Sequence, residues 1–273
     1  MITPAPMLAS QMIEALTGPA FDARYAGWVL EEKLDGHRVT LRVEGGAIAA
    51  FSRPGRSKTA LSRTLPPTMQ GTLAQLTEGV YDGELVVPGG HAWDVIRKGA
   101  SLVVVLFDVL ELGRTSLLAW PYASRRTALL DVLARLPATQ TTVTTVESVP
   151  ATWAAVEAIW QRGGEGAVLK QPTSRYRPGA RSADWVKVKQ QRHATLTVTG
   201  FEAGESGPCS AFLLRDDQGV VTTAKVLGHA LLREVTAAPA AFIGRRVVIS
   251  YQQRTPSGTY RHGQFDHFLD EAR

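Results

Sequence analysis

The sequence predicts an α+β protein of two domains, with a mixed, largely antiparallel sheet domain over residues 1–190 and a small β barrel over residues 191–273. In the first segment, strand signals alternate with helix signals. After the polar Gln190-Gln191-Arg192 stretch, short strands follow one another, separated by turn residues at regular intervals. Such spacing is typical of a small barrel.

The elements of the first domain follow from apolar spacing and turn residues. A proline at position 121 suits the start of a helix, and Gly163-Gly164 stops another. Helices are predicted over residues 7–16, 121–136 with leucines at 129, 130, 133 and 136, and 152–161. Strands are predicted over residues 28–32, 37–43, 47–51, 80–87, 101–110, 168–170 and 185–189. The barrel strands are predicted at residues 196–201, 211–214, 220–226 and 247–251.

Composition limits the class of protein. The chain has 273 residues, of which 44% are hydrophobic, so it can bury a sizeable core. A net charge of +5 and a pI near 9.5 suit a polyanionic partner. The single Cys209 excludes an internal disulfide framework and a four-cysteine zinc site. The longest apolar run, residues 102–107, is too short to span a bilayer, and the start lacks the pattern of a secretory peptide. A cytoplasmic location without membrane attachment is expected.

Six short blocks occur in a fixed order along the chain. Together they resemble the nucleotidyltransferase motifs of ATP-dependent DNA ligases, over residues 28–190 most clearly. The resemblance implies an ATP-grasp-like nucleotidyltransferase (adenylation) domain followed by an OB-fold domain. The blocks are Lys33-Leu34-Asp35-Gly36-His37-Arg38, Ser52-Arg53-Pro54-Gly55, Asp82-Gly83-Glu84-Leu85, Phe107-Asp108, Glu165-Gly166-Ala167-Val168-Leu169-Lys170 and Trp185-Val186-Lys187-Val188-Lys189.

The resemblance implies that Lys33 is the nucleophile that attacks the α-phosphate of ATP. A lysine attacks only as the neutral amine, although its ordinary pKa is about 10.4. Nearby cations disfavour the ammonium form, and the neighbours expected to supply them are Lys170, Lys187, Lys189 and a divalent metal, Mg²⁺ or Mn²⁺. Lys187 and Lys189 alternate with valines and therefore point to one face of a strand.

Carboxylates and nucleotide contacts follow from the same resemblance. Glu165 and Asp35 are implied to organise the metal ion. Arg38 and Glu84 are implied to contact the ribose, although a cross-strand ion pair would also explain them. Phe107 is implied to stack on the purine and Glu31 to read the adenine amino group, and Lys170 and Trp185 are implied to contact the nucleotide. The alternatives are a core phenylalanine and an exposed strand glutamate.

Ser52 and Arg53 lie in a block that resembles the one that grips the 5′-phosphate of a nick.

The sequence departs from the family pattern in two places. Only 32 residues precede Lys33, so the modules that larger or NAD-dependent ligases carry there are expected to be absent, and ATP is the favoured donor. Residues 267–271 supply an aspartate without the basic neighbours that usually clamp pyrophosphate.

The sequence therefore predicts a minimal two-domain ATP-dependent DNA ligase, expected to act as a monomer on nicked duplex DNA with Mg²⁺. It leaves open whether a repair partner protein assists. One alternative is an RNA ligase or a GTP-dependent mRNA capping enzyme, because these share the core blocks. Another is an accessory protein that binds nicks or ends and whose adenylylation is impaired by the altered tail.

Overall fold

The computed structural model describes residues 5–12, 16–52, 65–95, 101–204, 207–226, 228–255 and 257–269. The chain divides into two compact units, Met1–Val188 and Lys189–Arg273. The sequence had placed this division between residues 190 and 191. None of the helices in the described ranges is long and apolar enough to cross a bilayer.

The elements of the first unit come first along the chain. They are β1 (Leu8–Gln11), α1 (Gly18–Arg24), β2 (Val29–Glu32), β3 (His37–Glu44), β4 (Ala47–Phe51), α2 (Pro67–Leu73), β5 (Gly79–Val86), β6 (Val103–Leu112), β7 (Thr115–Ser116), α3 (Tyr122–Leu133), β8 (Val143–Thr145), β9 (Ser148–Pro150), α4 (Trp153–Gln161), β10 (Gly166–Lys170) and β11 (Arg181–Lys189).

Two sheets form this unit. The first has the strand order β1-β11-β10-β2-β9, and the second has the order β4-β3-β5-β6-β7 with β8 beside β6. One apolar cluster contains residues of both sheets, among them Phe107 of β6 and Trp185 of β11. The two sheets therefore pack face to face through it. The other face of the first sheet packs against α1 and α4, and that of the second against α2 and α3.

Alternation along the strands decides which side chains face the other sheet. On β10, Ala167 and Leu169 belong to the outer core with α1 and α4, whereas Val168 packs in the cluster between the sheets. On β2, Leu30 faces outward. Successive side chains of a strand point to opposite faces. The inner face of the first sheet thus receives Glu31 and Lys170.

The predicted helix over residues 7–16 is wrong. Residues 8–11 form β1, which runs parallel to β11 with Leu8 opposite Arg181 and Gln11 opposite Lys187. Residues 13–15 lie outside the described part of the chain. A partner about 170 residues away overrides local helix propensity here, because a strand gains its hydrogen bonds from its neighbour.

The helices predicted over residues 121–136 and 152–161 are confirmed as α3 and α4. Pro121 is the N-cap of α3, and the hydroxyl of Thr152 accepts a hydrogen bond from the Ala155 amide at 3.2 Å. Of the four leucines named in the predicted helix, Leu130 is exposed and Leu136 lies beyond the end of α3. The predicted hairpin of residues 37–43 and 47–51 is also confirmed, as β3 and β4.

The second unit contains a closed barrel with the strand order β12-β13-β14-β18-β15. Phe212, Val247 and Phe268 lie in its core. The helix α5 was not predicted. The elements are β12 (Arg192–Gly204), β13 (Gly207–Arg215), β14 (Val221–Lys225), α5 (His229–Ala237), β15 (Arg246–Tyr251), β16 (Gln253–Arg254), β17 (Tyr260–Arg261) and β18 (Gln264–Phe268).

Candidate active site

Lys33 lies where the chain leaves the first sheet. Its amide donates to the Gly166 carbonyl at 2.8 Å, and its Nζ forms an ion pair with Glu165 Oε2. The Lys33 side chain is 24% exposed and that of Glu165 is 8% exposed. A strand end thus holds an amine that solvent and ligands can reach.

Two glycines make this geometry possible. Gly36 ends the short link from Lys33 to β3, and a Cβ there would lie 2.4 Å from the Leu85 carbonyl oxygen of β5. Gly164 precedes Glu165, and a Cβ there would lie 2.5 Å from Ile159 Cγ2. Both distances are far below van der Waals contact, so each turn can approach its neighbour only without a side chain.

Asp35 has a partner that sequence reasoning missed. His91 Nδ1 lies 3.0 Å from Asp35 Oδ2, and the His91 ring stacks on Trp93 with the ring centroids 4.3 Å apart. Nothing in the sequence spacing indicates this contact, because 56 residues separate the pair. His91 was not among the residues predicted for the site.

Arg38 forms a bidentate ion pair with Asp82, with Nε 2.6 Å from Oδ1 and Nη2 2.5 Å from Oδ2. Tyr176 donates its hydroxyl to the same carboxylate. Glu84 lies directly opposite Arg38 in the β3–β5 register. Burial alone would lower the pKa of Arg38, but the charge and hydrogen bonds of Asp82 outweigh it and raise the pKa. Arg38 therefore stays charged, with its guanidinium carbon 4.6 Å from the Phe107 ring centroid.

Glu31 and Lys170 form a second, buried ion pair at 2.5 Å. Tyr122 donates its hydroxyl to the other oxygen of Glu31. The Lys170 Nζ lies 4.4, 4.6 and 4.8 Å from the ring centroids of Trp185, Tyr122 and Phe107. Burial lowers the pKa of Lys170, against the attraction of Glu31, and burial followed by the Glu31 charge raises the pKa of Tyr122.

This pair changes two expectations. The alternative of an exposed Glu31 is wrong, because Glu31 is buried. Lys170 was expected to supply a cation near Lys33. In the structure its charge is balanced by Glu31, and it lies opposite Val29 in the β2–β10 register, away from the end at which Lys33 meets Gly166.

The other basic and aromatic residues of the last block lie on β11. Lys187 is opposite Gln11 of β1, and the Lys189 Nζ donates to Gln252 Oε1 at 3.2 Å within the second unit. Trp185 is buried between the two sheets. Among the described residues, its Nε1 has no hydrogen-bond partner. An unpaired buried donor is costly, and the Lys170 ammonium lies 4.4 Å from the centroid of the same ring.

A buried ion pair between Asp108 and Arg125 anchors the start of α3. The guanidinium donates to both carboxylate oxygens at 2.8 Å, and also to the carbonyls of Trp120 and Ser174. Sequence reasoning noted Asp108 only as part of a block and missed Arg125. The consequence is a fixed position for Tyr122, the first residue of α3.

Two predicted groups of residues remain. Ser52 follows β4 directly, whereas Arg53 lies outside the described residues. Within the described ranges, no three or more His, Cys, Asp or Glu side chains form a cluster that could hold a metal ion. The carboxylates predicted to bind the metal, Glu165 and Asp35, contact Lys33 and His91.

The two facing sheets, with an accessible lysine where the chain crosses between them, define a protein of the nucleotidyltransferase type. The family model for the ATP dependent DNA ligase domain matches residues 6–189. The chain therefore belongs to the ATP-dependent DNA ligase domain family, and the resemblance inferred from the six blocks is confirmed.

Relatives from three bacteria agree with this placement. The chain is 32% identical over 215 residues to the multifunctional non-homologous end joining protein LigD of Mycobacterium bovis, covering 76% of this chain and 26% of the relative. It is 35% identical over 220 residues to a probable DNA ligase of Mycolicibacterium vanbaalenii, covering 73% and 39%. It is 26% identical over 264 residues to the bifunctional LigD of Bacillus subtilis, covering 86% and 42%. The chain thus spans less than half the length of these relatives.

Solved structures share the fold. A mycobacterial DNA ligase D complexed with ATP and MES has a TM-score of 0.59 at 25% identity, covering 99% of this chain and 96% of that one. A Lig E DNA ligase has a TM-score of 0.72 at 20% identity, covering 98% and 100%. The predicted α+β nucleotidyltransferase-type fold is confirmed.

Proposed function

We propose that this protein is an ATP-dependent DNA ligase that seals nicks through a lysyl-AMP intermediate. The observation that carries the proposal is the reachable Lys33 Nζ beside Glu165, at the end of β2. The Lys33 amine attacks the α-phosphate of ATP and pyrophosphate leaves. The AMP then passes to the 5′-phosphate of the nick, and the 3′-hydroxyl displaces AMP to join the strand.

The inner faces of the two sheets supply the nucleotide contacts in this proposal. Phe107 and Trp185 belong to the apolar cluster between the sheets, which suits a purine ring. The Trp185 Nε1–H, which has no partner among the described residues, can donate a hydrogen bond to a nitrogen of the base. Arg38, held by Asp82, and Glu84 opposite it are assigned to the ribose.

In this proposal, basic residues and a metal ion neutralise the negative charge of the nucleotide phosphates. Lys187 and Lys189 are assigned to the phosphates, since phosphoryl transfer is accelerated mainly by positioning and by balancing charge on the transferred group. Mg²⁺ commonly binds one or two carboxylates together with substrate phosphates and water, rather than a protein-only cage. The carboxylates of Glu165 and Asp35, which contact Lys33 and His91, fit such a site, and Mg²⁺ or Mn²⁺ bound there would polarise the phosphates.

The second unit is assigned as the OB-fold domain, because its five strands close a small barrel. We propose that this barrel, together with Ser52 and Arg53, binds the nicked duplex, and that the protein acts as a monomer. Neutralised phosphates release counterions, so affinity for the nick should fall by about 0.9 log unit per log unit of salt for each phosphate contacted.

The test is covalent labelling of the full chain. The purified protein is incubated with Mg²⁺ and α-labelled ATP, α-labelled GTP or adenylate-labelled NAD, and separated by denaturing electrophoresis. We expect a stable adduct from ATP that Lys33→Ala abolishes, because the variant lacks the proposed nucleophile. Lys225→Ala removes an exposed barrel lysine and should label normally. Circular dichroism should show that both variants are folded.

The same preparation separates the alternatives. Sealing of a nicked DNA duplex, with little sealing of nicked RNA, supports a DNA ligase. Labelling by GTP alone would indicate a capping enzyme. Binding to nicked DNA without any adduct would indicate an accessory protein. An undiminished AMP mass increment on Lys33→Ala would remove Lys33 from the mechanism.

A further inference from the structure

Tyr122 has a position that packing alone does not require. Its amide donates to the Ser174 carbonyl at 2.8 Å, and Arg125 donates to that carbonyl as well, at 3.1 Å. The start of α3 is therefore held from two sides. The Tyr122 side chain extends from the start of α3 to the first sheet, where its hydroxyl donates a hydrogen bond to Glu31 Oε1 on β2.

The Glu31 carboxylate is thereby held by a donor on each oxygen. Lys170 donates to Oε2 and Tyr122 to Oε1. A carboxylate has about four acceptor positions, so two remain for other donors. The Tyr122 hydroxyl keeps its proton at neutral pH, and it therefore always presents a donor to Glu31. Glu31 is in turn fixed as an acceptor in one orientation.

We propose that Tyr122 is a positioning residue that sets the base selectivity of the nucleotide site by fixing Glu31 as an acceptor. The proposal rests on the proposed function, in which Glu31 lies at the base. Adenine presents an amino donor at its 6-position, whereas hypoxanthine and guanine present a carbonyl acceptor there. A rigid carboxylate accepts a hydrogen bond from the amino group and repels the carbonyl oxygen, because two facing acceptors leave each other without a donor.

A purely structural role for Tyr122 makes a different prediction. Loss of packing or of fold would lower the use of every nucleotide to a similar extent. Loss of a fixed acceptor would lower the preference for adenine over hypoxanthine. The ratio of the two nucleotides therefore separates the roles, whatever happens to the absolute rate.

The experiment measures kcat and KM of adduct formation with ATP and with inosine triphosphate, for the wild type and for Tyr122→Phe. We expect Tyr122→Phe to raise the KM for ATP about 10-fold with little change in kcat, as for one lost hydrogen bond to a charged group. The preference for ATP, as the ratio of kcat/KM values, should also fall about 10-fold.

Tyr81→Phe is the matched control. Tyr81 is also buried, and its hydroxyl donates to the Thr77 carbonyl, but it packs in the core on the other face of the second sheet. The same single oxygen is removed there, and the preference for ATP should remain as in the wild type. Equal loss of preference in both variants would overturn the proposal.

Glu31→Gln supplies a second, independent test. If Tyr122 acts through Glu31, this variant also loses the preference, and adding Tyr122→Phe to it changes the ratio no further. An unchanged ratio in Tyr122→Phe or in Glu31→Gln overturns the inference. If the wild type forms no adduct with ATP, the proposed function itself fails, which is a different result.

Discussion

Two lysine–glutamate ion pairs connect the same neighbouring strands in opposite senses. Lys33 follows β2 and pairs with Glu165 ahead of β10, whereas Glu31 lies on β2 and pairs with Lys170 on β10. The first lysine is 24% exposed and the second is 2% exposed. The two pairs consist of the same chemical groups, so the difference between them is the solvent exposure of the lysine.

The buried pair cannot separate cheaply, because a single buried charge without its partner costs several kcal/mol. The Lys33–Glu165 pair, whose side chains are 24% and 8% exposed, lies where water and ligands reach the lysine, so separating it costs less than separating the buried pair. Lys33 is thus free to leave Glu165 and react, while Glu31 and Lys170 stay together as part of the framework.

The largest expected effect is on stability when the buried pair is broken. Lys170→Met keeps most of the side-chain length but leaves the Glu31 charge without its cation. We expect the free energy of unfolding to fall by about 3–5 kcal/mol. Urea unfolding followed by tryptophan fluorescence measures it.

The double variant Glu31→Gln with Lys170→Met is the control, because it removes both charges. It should recover at least about 1 kcal/mol of the loss. A Lys170→Met variant within about 1 kcal/mol of the wild type would show that the buried charge is compensated elsewhere.

A smaller effect, on activity and not on stability, is expected at the Lys33–Glu165 pair. Glu165→Gln should slow adduct formation about 100-fold, equivalent to about 2.7 kcal/mol in the activation free energy, because the carboxylate beside Lys33 is lost. The free energy of unfolding should change by less than about 1 kcal/mol. Rapid-quench labelling and urea unfolding of the same preparation give both values. A destabilisation as large as that of Lys170→Met would erase the contrast between the pairs.

The smallest effect is a pH dependence. Burial, reinforced by the charges of Glu31 and Asp82, raises the pKa of Tyr122 and of Tyr176 above the ordinary value of about 10. Above pH 10 the unfolded chain releases phenolic protons that the folded chain retains, so folding binds protons. The stabilisation is complete below about pH 10 and is lost as the pH rises further.

Tyr122→Phe isolates one of these groups. Between pH 10 and 11 the wild type should lose about 1 kcal/mol more stability than this variant does, since one proton per pH unit is worth about 1.4 kcal/mol. Urea unfolding at the two pH values gives the comparison. Equal losses in the two proteins would mean that the Tyr122 phenol contributes no pH dependence of its own.

The blocks around Lys33, Glu165 and Trp185 were predictable because local patterning and fixed residue order specify strand ends and turns. The partners of those residues were not. The helix expected at residues 7–16 failed because β1 is selected by a strand about 170 residues later. Distant contacts of this kind leave no local signal.

The ion-pair partner of Arg38 also could not be predicted from the sequence. Register alone places Glu84 opposite Arg38, yet the bidentate partner is Asp82, which also holds Tyr176. Long side chains reach diagonal neighbours on a sheet, so alternation fixes the face but not the contact. Tyr122 belongs to none of the blocks and was missed entirely.

The link between Lys33 and Gly36 is anchored at both ends. The Lys33 amide is tied to Gly166 of the first sheet, and Gly36 lies against the Leu85 carbonyl of the second. The link is short and is constrained by both sheets. Any change in the separation of the two sheets at this link must therefore move Lys33 relative to one of them, so the position of the reactive amine depends on the spacing of the sheets.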